Sequence, residues 1–136
     1  MNQTAKETRQ PPGLVMFAAI MMFLLGGFQV TWALIEFANA AWLASTVYGT
    51  YGGYLWIWGI LDVLFALVLF YIGYDLLRGG TFGQVFGLVI VGFSAVRWFF
   101  MLPVAPVVAV VIIAIDALIM YGLLMNSDYF SSRATT

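Results

Sequence analysis

The chain contains no cysteine and no histidine, and only 8% of its 136 residues are charged. Without thiolate or imidazole it can build no disulfide, no Cys or His zinc centre, no axial haem ligation through those groups and no Cys or His nucleophile or base. Five basic residues stand against six acidic ones, for a formal net charge of −1. There is thus no basic surface suited to nucleic acid, and nucleic-acid binding is not expected. The Gly-x-Ser-x-Gly elbow is missing, and the segment Gly49 to Gly53 is too short and aromatic to cradle phosphate. No enzyme activity, metal or cofactor is therefore expected, although paired carboxylates could in principle serve as general acid and base.

What is present is apolar: 64% of the residues are hydrophobic, more than a soluble core of this size could hide from water. Four runs carry most of it, at about 14–36, 54–77, 82–101 and 104–125. At about 1.5 Å rise per residue each reaches roughly 30 Å, the thickness of a hydrocarbon core. The fold expected is an all-α integral membrane protein, a bundle of four transmembrane helices in one domain over 14–125. Residues 1–13, ending Pro11-Pro12-Gly13, read as a flexible polar tail, and 126–136 as a second tail. The first run, with Lys6 and Arg9 before it and Ala38-Asn39-Ala40 after, has signal-peptide flanks, but it is longer than a secretory apolar core and ends in Glu36. It reads as an uncleaved helix.

Lys6, Arg9, Arg78 and Arg133 fall at one end of the runs, with no Lys or Arg in the loop 37–53 or around Pro103. By the positive-inside rule both termini should be cytoplasmic and the protein multi-pass in the plasma membrane. All five tryptophans (Trp32, Trp42, Trp56, Trp58, Trp98) then lie toward the outer boundary, where amphipathic rings anchor at headgroup level. The turn Arg78-Gly79-Gly80-Thr81 makes the second and third helices antiparallel neighbours, and Pro103 with Pro106 does the same for the third and fourth. The loop 37–53, with a short helix near 40–47, is expected to lie along the interface.

Helices associate in lipid through small residues and interhelical hydrogen bonds, so spacing shows which face is inside. Ala19, Met22, Gly26, Gln29, Ala33 and Glu36 form one stripe of the first helix. Gly59, Asp62, Ala66 and Gly73 do so in the second, Gly83, Gly87, Ile90, Ser94 and Arg97 in the third, and Ala109, Ile112 and Asp116 in the fourth. The ladder Gly79, Gly83, Gly87 fits close backbone packing, either within the chain or between copies. Gly27-Phe28-Gln29 with Trp32 echoes Gly92-Phe93-Ser94 with Trp98, and Leu61-Asp62 echoes Ile115-Asp116, as two tandem helix pairs would.

Each stripe bears one ionisable residue, and such charges are costly in a membrane. By helical rise Glu36 stands near the surface, Arg97 about 6 Å below the outer boundary, Asp62 about 12 Å and Asp116 about 18 Å. Arg97 is expected to bridge to Asp62 or Glu36, fixing helix register. Asp116 is left over, and a proton, a cation, a basic substrate or a partner's Arg or Lys would have to balance it.

The Trp58-Gly59-Ile60-Leu61 opening, Met101-Leu102-Pro103 followed by Pro106, and Ile115-Asp116-Ala117-Leu118-Ile119-Met120-Tyr121-Gly122-Leu123 carry a resemblance, which Phe17 and Gly26-Gly27 extend over roughly residues 14–125. On these the chain resembles an uncharacterised family of small four-helix membrane proteins, a domain of unknown function found mainly in actinobacteria. The resemblance implies the four-helix fold and brings no activity, and it does not supply Asp62 or Arg97. Small multidrug-type exporters offer a similarity of architecture only, since there the first-helix acid is central and here it is terminal. Two functions are expected: an accessory or scaffold subunit, whose partners are the bilayer and another membrane protein or a second copy, or a small proton- or cation-coupled transporter or channel using the intramembrane carboxylates.

Overall fold

In the computed structural model, which describes residues 10–38 and 55–134, the described elements are all helices. They are α1 (Gly13–Ala38), α2 (Leu55–Leu77), α3 (Thr81–Met101), α4 (Pro106–Met125) and α5 (Ser127–Ala134). The first four are long and apolar enough to cross a membrane. The expected loop 37–53 and its interfacial helix fall almost wholly outside the described residues. The fourth helix begins at Pro106 rather than 104, because a proline at the first helical position has no N–H to leave unpaired.

Alternate helices run in opposite directions, so α1 begins, α2 ends, α3 begins and α4 ends at one end of the bundle, here the near end. The widest contact is between α1 and α2, the next between α3 and α4, with α2 against α3 and α1 against α4 closing the square. Small residues set the α1–α2 approach: Gly26 lies under the Phe70 ring, Gly59 under Phe37, and Gly73 against the Ala19 carbonyl.

The α2–α3 turn is built from Gly79, whose φ of 73° suits a residue without a side chain, and from Asp75. The Gly83 amide donates to Asp75 Oδ2 at 2.6 Å, so a carboxylate from the last turn of α2 caps the start of α3. Gly80 leaves room for that carboxylate, which a side chain there would overlap.

Hydropathy predicts a tail after Met125, but residues 127–134 form α5. The reason is an aromatic pair in an otherwise polar stretch: Tyr129 and Phe130 are buried against the near end of the bundle. The Tyr129 hydroxyl donates to the Leu77 carbonyl at 2.7 Å, Gln84 Nε2 to the Leu123 carbonyl at 3.0 Å and Asn126 Nδ2 to the Gly122 carbonyl at 2.7 Å. These bonds satisfy carbonyls that α2 and α4 leave exposed where they end.

The core is correspondingly lopsided. Val15, Met22, Ile72, Leu76, Leu123 and Phe130 are all buried toward the near end. On α3 the buried positions are Gly83, Gly87 and Val91, and none from Gly92 to Met101 is buried. The two helix pairs are packed together at the near end and parted toward the far one.

Candidate functional site

Where the pairs part, a cavity of about 610 Å³ lies between all four helices. Its walls are mostly Leu, Ile, Phe and Val, and its polar lining comes from Gln29 of α1, Ser94, Arg97 and Trp98 of α3, and Asp116 of α4. The helical stripes account for this convergence. Gln29, Ser94, Arg97, Ile112 and Asp116 each stand on the small or polar face of their helix, and the parted far half leaves those faces around a space.

Asp116 is the deepest charge in the lining. It is 5% exposed, and its Oδ2 is buried without a hydrogen-bond partner. Ser94 on α3 is its polar neighbour. Phe28 and Phe93, the paired aromatics of the tandem echo, both line the cavity and are 72% and 76% exposed, forming a hydrophobic rim.

Arg97 does not form the expected bridge. It is exposed, lines the cavity rather than meeting Asp62 or Glu36, and its guanidinium carbon lies 6.0 Å from the centroid of the Trp98 ring. The cause is the parting of the pairs. Gly83 lies against α2 backbone, whereas beyond Val91 no residue of α3 is buried, Ser94 and Arg97 of its inner stripe included, so α3 is no longer packed into the core at the level of Arg97. Asp62 is half-buried on α2 and is not in the lining of the cavity. Glu36 is 2% exposed, and its Oε2 is buried without a hydrogen-bond partner.

The packing glycines face inward within the chain. Gly83 stands against the Leu76 amide and the Ile72 carbonyl, Gly87 against Leu123 and Ile72, and Gly79 against Tyr129. Spacing revealed the stripe but not the role of Asp75, whose signal was an acid four residues before the Gly79-Gly80-Thr81 turn into a helix. The four ionisable residues therefore divide into Asp116 and Arg97, which line the cavity, and Glu36 on α1 and Asp62 on α2, which do not.

No curated protein and no solved structure matches the chain. A family model does match it, over residues 14–128, which take in all four membrane-length helices, the cavity and the first residues of α5. The chain belongs to the family described as a domain of unknown function, DUF7144.

Proposed function

We propose that this multi-pass membrane protein binds a small amphiphilic solute in the cavity between its helix pairs, with Asp116 as the anchor for a cationic head, as a carrier-type transporter would. The observation that carries the reading is the buried carboxylate with an unpartnered oxygen in the wall of a mostly apolar cavity. An uncompensated charge at this depth is costly, and a bound cation offsets that cost. A volume of about 610 Å³ falls in the range of small-molecule pockets. A membrane-spanning helix, roughly 10 Å across and 30 Å long, is far too large for it.

The test uses protein in proteoliposomes and a series of primary alkylamines against the matching alcohols. The amines should bind and be carried, and the alcohols should bind weakly. Asp116→Asn should weaken amine binding about thirtyfold or more, corresponding to roughly 2 kcal/mol for losing one partner of a buried charged pair. Equal binding of amines and alcohols, or flux unchanged by Asp116→Asn, would overturn the reading.

An accessory or scaffold subunit is a second reading, and the far half of α3 favours it. Arg97 is exposed there among Phe93, Val96, Phe99 and Phe100, all more than half exposed, a surface that a neighbouring helix with an acidic residue would complement. Crosslinking in native membranes from a photoreactive residue at Val96 should then trap one constant protein partner. Labelling of lipid alone would exclude it.

A further inference from the structure

The geometry points to the class of solute: a zwitterion of the amino-acid type, its ammonium at Asp116, its carboxylate at Arg97 and its apolar group deeper in the cavity. This rests on the cation site proposed above. The cavity wall holds one cation as well as one anion, Arg97 from α3 and Asp116 from α4. Asp116 Oδ2 has no hydrogen-bond partner, Arg97 stands beside the Trp98 ring, and among the described residues no ion pair takes up either charge. A bare amine at Asp116 would have the Arg97 guanidinium as a like-charged neighbour in the same wall. A carboxylate on the same solute turns that repulsion into a second attraction, and the planar fork of arginine suits it.

The order of these groups along the bundle follows from the packing toward the near end. Leu123 of α4 lies against Gly87 and its carbonyl accepts from Gln84, so it is level with that turn of α3. Toward the far end, Asp116 is seven residues from Leu123, and Arg97 is ten from Gly87 and thirteen from Gln84. At about 1.5 Å per residue, the Arg97 backbone stands roughly 5 to 9 Å nearer the far end than that of Asp116. Cα–Cβ bonds tilt toward the start of a helix, which is the near end for α3 and the far end for α4, so the two side chains lean toward each other. An ammonium and a carboxylate on one carbon bridge them through charge-assisted hydrogen bonds of about 2.8 Å. Nearer the near end than both charges the lining is apolar. Ile119 lies one turn beyond Asp116, Val89 and Ile90 about two turns before Arg97, and Leu69 of α2 joins them. That floor receives a hydrocarbon side chain.

Calorimetric titration of the full chain in phosphatidylcholine nanodiscs, referenced to empty nanodiscs, tests this with three probes. They are α-aminooctanoic acid, its carboxamide, and heptylamine, which is the same skeleton without the carboxyl group. Wild type should bind the acid about tenfold or more tightly than the amide or the amine, the gain expected of one charge-assisted contact. Arg97→Gln should erase that preference and Arg97→Lys should restore part of it. Arg97 is exposed, so neither substitution disturbs the core, and thermal unfolding of the variants checks this. Amine binding that depends on Asp116, with the acid bound no more tightly, would overturn the zwitterion while leaving the cation site standing. Arg97 would then serve lipid phosphates at the membrane surface. A preference for the acid that survives Arg97→Gln would overturn the role of Arg97. Failure of all three probes to bind would overturn the cation site, and the zwitterion with it.

Discussion

At the residue scale, α3 meets the backbone of α2 because Gly83 has no side chain. A Cβ added at Gly83 would lie 2.9 Å from the Leu76 amide nitrogen and 3.0 Å from the Ile72 carbonyl oxygen, and backbone cannot swing aside as a side-chain tip can. Gly83→Ala should therefore push α3 off α2 and destabilise the bundle by about 1 to 3 kcal/mol, the usual penalty of overpacking. Gly92→Ala, on the same helix but with nothing within 4 Å, should be neutral or slightly stabilising through better helix propensity. Thermal unfolding of the two variants in one detergent checks both, and equal melting temperatures would show that α2 and α3 do not meet as described. Spacing alone placed Gly83 on an inner face, but it could not say whether that face met this chain or another copy. The same limit applied to the charges. Periodicity put Arg97 and Asp62 on inward stripes, yet pairing depends on whether two helices stay together over their whole length, and no single-helix pattern records that.

At the element scale, α5 shows how a short amphipathic segment completes a membrane bundle. Its composition is polar, so a hydropathy profile sees only a tail, and the signal that identifies it is the adjacent pair Tyr129 and Phe130. Phe130 is 1% exposed, and the Tyr129 hydroxyl closes the C-terminal carbonyl of Leu77. The element joins the ends of α2 and α4 at the place where the core is densest. Phe130→Ala should destabilise the protein by about 3 to 5 kcal/mol, as for other buried phenylalanines. Tyr129→Phe, which keeps the ring and loses one hydrogen bond, should cost about 0.5 to 1.5 kcal/mol. The ratio of the two shifts in a thermal melt distinguishes packing from capping, and a Phe130→Ala melt equal to wild type would mean α5 does not dock. The four long helices, by contrast, were legible to within about two residues, because an apolar run of membrane length admits few other folds.

At the scale of the whole molecule, the chain is two helix pairs joined at the near end and parted at the far one, and the weak echo in the sequence follows that division. Phe28 and Gln29 on α1 correspond to Phe93 and Ser94 on α3, and all four line the cavity. Repeats that run in the same direction are related by an axis along the membrane normal, and the cavity lies toward the far end of that axis. Which side follows from charge. Arg78 stands at the near end over the Tyr74 ring at 4.7 Å, and in the sequence Lys6, Arg9 and Arg133 flank the helix ends that lie there. No lysine or arginine falls between Glu36 and Leu77, so by the positive-inside rule the near end is expected in the cytoplasm and the far end, with the cavity, toward the outer face. Because the chain has no cysteine, single introduced cysteines report this directly. A membrane-impermeant maleimide should label Ser45→Cys in intact cells and Thr4→Cys only after permeabilisation. The reverse pattern would turn the cavity toward the cytoplasm, and a solute bound at Asp116 would then enter from inside the cell.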